Sequence, residues 1–255
     1  MPPTQVPTAS DELVRIPLTR TLHLWQRKQG HRTGTDDVLC AWAGVSARPD
    51  AQHVLDLGAG HGSVTLMMAG ALSVTANILA VEVQEISFGL LERNIADNDL
   101  GERVRGMLAD LRSVELAPDS YELVTGAPPF MPLGTGTLPR DPQRAAARFE
   151  MHGGVEDYCQ LAARVLAPSG LLSLVMDAAR PARYREAIAA AGLGLTRTVE
   201  VLPRPGAPPT YLIYQATPGS AAESTASEIL CIRDAGGQLS AEYRAIRRAL
   251  DLPNP

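Results

Sequence analysis

Cysteine is scarce in this chain and never paired. Cys40, Cys159 and Cys231 are odd in number and far apart, and no CxxC spacing occurs. Neither a disulfide framework nor a metal site is expected; three separate thiols in a reducing compartment are. Lysine is scarcer still: Lys28 is the single one, and arginine carries almost all the positive charge. The net charge of −5 argues against a general nucleic-acid binder, while leaving room for a local basic patch. Long hydrophobic runs are missing too. The longest, Val38 to Val45, is far too short to cross a bilayer. The polar, proline-bearing start of the chain has no apolar h-region, so no leader peptide is expected. A cytoplasmic protein without membrane association is the expectation.

What is present suffices for one sizeable core: 255 residues, 45% of them hydrophobic and 20% charged. No internal repeat stands out. Residues 1–11 read as a loose tail. Between Leu13 and His31 lie short β-like runs, with Leu22 and Leu24 alternating with His23 and Trp25. Thr35 or Asp36 is placed to cap a helix through Ala43. From Gln52 onward strand and helix alternate. Strands are predicted over 53–57, 77–83, 104–109, 121–125 and 170–176, with helices over 63–72, 84–96, 155–166 and 182–191. Two later strands, 195–202 and 211–216, look antiparallel. This pattern predicts a doubly wound α/β fold with a mostly parallel sheet covered on both faces. Residues 219–227 are small and linker-like. Ile229 to Ile232 fits one more strand. Tyr243, Ile246 and Leu250 mark a last helix, whose Arg244, Arg247 and Arg248 lie mostly off the apolar stripe and read as solvated. The expected division is an N-terminal extension over 1–50 that covers a ligand site, a catalytic domain over 51–217, and a C-terminal strand and helix over 218–255 packed on the core.

The sharpest local signal is Asp56-Leu57-Gly58-Ala59-Gly60-His61-Gly62. It follows an apolar strand and opens a helix, where glycines permit sharp turns and close ligand approach. A plain connecting turn is one reading. A dinucleotide site is another, but the spacing is GxGxG rather than GxGxxG. Asp56 also sits two residues before the first glycine, at the strand end, where a carboxylate suits a pyrophosphate poorly. It suits a ligand with a cationic amino group and no phosphate, such as S-adenosylmethionine. Glu82 ends the next strand, where a carboxylate can accept from both ribose hydroxyls. Asp110 ends the third and is placed to accept from an adenine amino group. Three acids at three successive strand ends are hard to attribute to surface turns alone.

The fourth strand runs into Gly126-Ala127-Pro128-Pro129-Phe130. Two prolines fix φ and remove two amide donors, and Phe130 is offered as a flat apolar platform. Beyond it, Arg140, Arg144 and Arg148 recur every four residues, as on one helix face. They read equally as a phosphate grip or as solvated charge. His152 is a candidate base or a surface histidine.

The runs QGHRTGTDDVLCAWA, VLDLGAGHG, AVEVQ, ERNIADNDLGERV, the PPF loop and CIRDAGGQLSAEYRAIRRAL occur in that order from about residue 13 to the end. Together they resemble the bacterial tRNA adenine-N6 methyltransferases that modify A37 of a valine tRNA. The resemblance implies a class I methyltransferase fold with a seven-stranded sheet, S-adenosylmethionine as cofactor and RNA as partner. Arg32, Thr35 and Asp36 would line the cofactor's methionine end; Asp56, Gly58, Gly60, Glu82 and Asp110 would hold the rest. Ala127, Pro128, Pro129 and Phe130 would form the catalytic loop. In the family an Asn stands where this chain has Ala127, and its carbonyl accepts one amino hydrogen of a flipped-out adenine. The substitution leaves open an alternative acceptor, a small molecule or another nucleophile. Oligomeric state is not legible.

Overall fold

The computed structural model describes residues 12–219 and 227–253. The expected tail over 1–11 and nearly all of the expected linker lie outside the described residues. The chain opens with an antiparallel hairpin, β1 (Leu13–Pro17) and β2 (His23–Arg27), followed by helix α1 (Thr35–Ala47). Then come β3 (His53–Leu57), α2 (Ser63–Ala71), β4 (Asn77–Glu82), α3 (Glu85–Asp97), β5 (Val104–Leu108) and β6 (Tyr121–Gly126). The short helix α4 (Pro142–Arg148) precedes α5 (Val155–Val165), β7 (Leu166–Asp177), α6 (Pro181–Ala190), β8 (Leu193–Leu202) and β9 (Tyr211–Pro218). The strand β10 (Ser227–Cys231) and helix α7 (Ala241–Ala249) complete the described chain.

The main sheet has the order β10-β8-β9-β7-β6-β3-β4-β5. Only β9 runs against its neighbours, pairing antiparallel with β7 and β8. The seven expected strands are therefore present, and β10 adds an eighth in parallel register on β8. In β3 four of the five residues are buried, including Asp56, because helices cover both faces. One apolar layer joins α1, α2, α3 and α7 to the sheet through Leu39, Leu66, Leu91 and Ile246. The other joins α5 and α6 through Leu161, Val165, Tyr184 and Ile188. The chain runs outward from β3 to β4 and β5, then returns to place β6 on the other side of β3. That reversal opens a crevice at the carboxyl ends of β3, β4 and β6.

The hairpin is docked by two asparagines four residues apart, Asn94 on α3 and Asn98 at its C-cap. Asn98 accepts from the His23 amide and donates to the His23 carbonyl, both at 2.8 Å. Asn94 does the same for Trp25, at 2.7 and 2.9 Å, and also donates to the His61 carbonyl at 2.7 Å. The N-terminal extension is thus tied to the glycine loop through one buried amide side chain.

Two local details differ from the sequence expectation. Helix α1 begins at Thr35, so its cap is Gly34, whose amide donates to Asp37 Oδ2 at 2.8 Å. The third helical residue supplies the capping carboxylate, and the helix runs on to Ala47. Arg140 lies outside α4, because Asp141 caps that helix by accepting from the Arg144 amide at 2.9 Å and Pro142 fills its first position. Only Arg144 and Arg148 are on the helix.

Candidate active site

The turn from β3 to α2 wraps the floor of an enclosed pocket at the crevice. Gly58 and Gly60 adopt φ of +65° and +59°, in the left-handed region that glycine enters without strain. Gly58 also has no room for a side chain, since an added Cβ would run into the Tyr158 hydroxyl. The amides of this turn are already engaged. Ala59 donates to the Val81 carbonyl at 3.0 Å, Gly62 to the Ala59 carbonyl at 2.9 Å, and Gly60 to Glu82 Oε2 at 2.7 Å. A phosphate-binding loop would instead offer such amides to its ligand. The dinucleotide reading therefore has no support in the loop's hydrogen bonding.

The pocket is acidic. Asp36, Asp37, Asp56 and Glu82 line it, and among the described residues no Lys or Arg does. Asp56 accepts from Thr65 Oγ1 at 2.5 Å and Thr125 Oγ1 at 2.9 Å, and burial still pushes its carboxyl up to about 6. Asp37 is pushed further, to about 8, by burial first and the Asp36 charge second. Burial raises Glu82 as well, opposed by the amides it accepts, which include Gln84 at 2.7 Å. His61 is driven down to about 3 by burial and meets Thr33 Oγ1 at 3.2 Å, while burial lowers the adjacent His31. Buried carboxylates without a countercharge are costly, and a bound cation would relieve that cost. The donor set thus fits a ligand carrying positive charge and hydroxyls, and repels phosphate.

This arrangement has a measurable pH signature. The Asp37 carboxyl lies above its ordinary value in the fold, so its contribution favours the fold at low pH and is lost as pH rises through about 8. His61 and His31 act in the opposite direction, but only below their ordinary value of 6.5. Between pH 6.5 and 8, Tm of the ligand-free protein should fall. Asp37→Asn should flatten that slope in scanning fluorimetry. An equal slope in the variant would assign the pH dependence elsewhere.

The catalytic-loop residues expected from sequence form the opposite wall. Ala127, Pro128, Pro129 and Phe130 all line the pocket. The Phe130 ring lies 6.1 Å from that of Tyr211, and its carbonyl accepts from Arg180 Nη1 at 3.1 Å. The segment after Phe130 is held down by Gln143, which is fully buried. Its side chain accepts from Arg27 at 3.1 Å and the His31 amide at 3.2 Å, and donates to Ser87 at 3.1 Å. Arg27 also pairs with Asp141 at 2.7 Å. Outside this wall is an open groove whose lining includes Lys28, Arg32, Arg144, Arg148 and Met131. His31, Asp36, Phe130 and Ala147 line both spaces.

Of the residues singled out from sequence, Asp36, Asp56, Gly58, Gly60, Glu82 and the loop from Ala127 to Phe130 come together around one pocket, with His152 at its wall. Three stand elsewhere. Arg32 lines only the groove. Thr35 meets the Tyr243 hydroxyl. Asp110 is held by Arg112, two residues on, through both carboxylate oxygens, while Ala109 and Leu111 line the pocket on either side. Asp37, His61, Gln143 and Tyr158 were not singled out. Asp37 was within reach, since an acid three residues after Gly34 is a capping signature; the others depend on tertiary contacts.

Comparison with known proteins agrees in fold and chemistry. Residues 43–140 match the Methyltransferase small domain family. Among curated relatives, the tRNA1(Val) (adenine(37)-N6)-methyltransferase of Shewanella amazonensis is 32% identical over 221 residues, covering 86% of this chain and 91% of the relative. The enzyme of that name from Tolumonas auensis is 32% identical over 231 residues, covering 89% and 92%. In structure the chain is similar to a predicted O-methyltransferase from Agrobacterium tumefaciens, with a TM-score of 0.65 at 18% identity over 86% of this chain and 98% of that one. A SAM-dependent methyltransferase from Aquifex aeolicus gives 0.52 at 14% identity, over 72% and 93%. At these identities the structural likeness speaks for the fold alone.

Proposed function

We propose, for a chain that belongs to the tRNA1(Val) (adenine(37)-N6)-methyltransferase family and is an S-adenosylmethionine-dependent methyltransferase, that its acceptor is the N6 amino group of an adenine in tRNA. The observation that carries the RNA half of this reading is the groove beside Phe130. Arg32, Arg144 and Arg148 border it, are exposed, and form no ion pair among the described residues. In a chain of net charge −5, three unpaired guanidiniums at the mouth of an acidic pocket suit a polyanion whose reactive part is itself neutral. A small-metabolite acceptor would leave them without a role. A tRNA substrate implies a cytoplasmic enzyme, and among the described residues no helix is long and apolar enough to cross a membrane.

The residues divide the work as follows. Asp37 and Asp56 would neutralise the cationic amino-acid end of the cofactor, Glu82 would accept from its ribose, and Ala109 and Leu111 would flank its base. When bound, S-adenosylmethionine supplies an electrophilic methyl group. Phe130 stacks on the flipped adenine, and the carbonyls of the two-proline loop orient its amino group. No strong base is required, because a correctly aimed amine attacks by proximity and sheds its extra proton afterwards. Residues 51–217 act as the catalytic domain, with the segments on either side packed around it.

The RNA reading has a direct test. In Arg144→Glu/Arg148→Glu the affinity for tRNA should fall about tenfold or more, and its salt dependence should become shallower, because phosphate contacts release counterions. Affinity for S-adenosylhomocysteine should not change. Salt-independent tRNA binding by the wild-type protein would reject the reading.

A further inference from the structure

Asp36 is the one carboxylate among the described residues that lines both the enclosed pocket and the open groove. It shares that border with Phe130, His31 and Ala147. Its backbone is fixed as the second residue of α1, held by the Gly34–Asp37 cap. Its carboxylate has no hydrogen-bond or ion-pair partner among the described residues, whereas Asp37, Asp56 and Glu82 accept from neighbouring groups. Those three are buried, and Asp36 stands half-exposed at the rim. A carboxylate with nothing to accept from therefore stands at the border where Phe130 would hold a base.

Position 127 makes this placement informative. An exocyclic amine presents its lone pair squarely to a methyl donor only when both of its hydrogens are held. The loop's backbone carbonyls can take one, and the Ala127 side chain can take none. We propose that Asp36 accepts the second amino hydrogen, so that the acceptor absent from the catalytic loop is supplied by the start of α1. The inference rests on the adenine-amino reading above. It also gives Asp36 a different task from the cofactor contact implied by family resemblance. As the new N–C bond forms and the S–C bond breaks, positive charge develops on the amino nitrogen, and a carboxylate stabilises it more than an amide carbonyl would. The surplus proton then passes to Asp36 and on to water in the groove.

The test compares four proteins: wild type, Asp36→Ala, Asp36→Asn, and Asp36→Ala combined with Ala127→Asn. Each is assayed for methyl transfer to unmodified tRNA and, by calorimetry, for affinity toward S-adenosylhomocysteine. Asp36→Ala should lower kcat by about ten- to a hundredfold, the range for losing a charge-assisted hydrogen bond in the transition state. Cofactor-product affinity should stay within about twofold of wild type, which also shows that the variant is folded. Asp36→Asn, which keeps an acceptor without charge, should fall in between. Adding Ala127→Asn to Asp36→Ala should restore turnover at least several-fold, a rescue that no structural role for Asp36 would yield. Parallel losses of cofactor affinity and activity, with no rescue by Ala127→Asn, would overturn the inference and return Asp36 to the cofactor. A wild-type protein that binds cofactor but transfers no methyl group to tRNA adenine would overturn the underlying reading, and this inference with it.

Discussion

Calorimetric titration of Glu82→Ala with S-adenosylhomocysteine is expected to show a loss of affinity of about 10- to 100-fold. Glu82 is buried and lines the pocket at the end of β4. Removing a charge-assisted acceptor costs about 1.5–3 kcal/mol, and each 1.4 kcal/mol is tenfold in affinity. The effect should sit near the upper end, because the same carboxylate accepts from the Gly60 and Gln84 amides at 2.7 Å each and so holds the glycine turn in shape. Glu82→Gln can still accept from one of these donors and should lose less. Asp110→Ala is the contrasting case. Its carboxylate is already engaged by Arg112, so the expected loss is only a few-fold. Equal affinities for wild type and Glu82→Ala would remove Glu82 from the cofactor site.

Phe130→Ala is expected to lower kcat/KM on tRNA by about 10- to 100-fold while cofactor affinity stays near wild type. Stacking of a base on an aromatic ring is worth about 1–3 kcal/mol by alanine substitution, and here it would also align the amino group for transfer. Phe130 is well placed for that role: it lines the pocket and the groove together, and its backbone is held by Arg180 on one side of the ring contact with Tyr211. Phe130→Tyr keeps the flat face and should retain most of the activity. A variant with full activity after loss of the ring would show that no base stacks there. A parallel loss of cofactor affinity would show that the ring belongs to the pocket's packing instead.

The alternation of strand and helix was legible because a sheet covered on both faces demands short apolar strands, and VLDL at 54–57 and ILAV at 78–81 can be little else. Asp56 and Glu82 were legible for the same reason: an acid closing an apolar strand is out of pattern. The proline pair made the loop from Ala127 to Phe130 conspicuous, since Pro128 and Pro129 exclude both helix and central strand. What could not be read was the direction of side chains whose partners are distant in sequence. Thr35 turns toward Tyr243, which lies on the last helix. Tyr158 reaches over Gly58 from α5, a contact no local pattern announces. Asp36 and Asp37 look alike as neighbouring acids at a helix start. Packing separates them, burying Asp37 and leaving Asp36 without a partner at the rim. The periodicity of Arg140, Arg144 and Arg148 was real in sequence, but Asp141-Pro142 starts the helix after Arg140.

Methylation of an adenine amino group in tRNA is tested most directly by mass spectrometry of the nucleosides in purified valine tRNA from a strain lacking this protein, set against wild type. The expected result is loss of N6-methyladenosine from the anticodon-loop fragment containing A37, with other methylated nucleosides unchanged and the signal restored by wild-type protein but not by Phe130→Ala. An unchanged level of N6-methyladenosine in that fragment would contradict it.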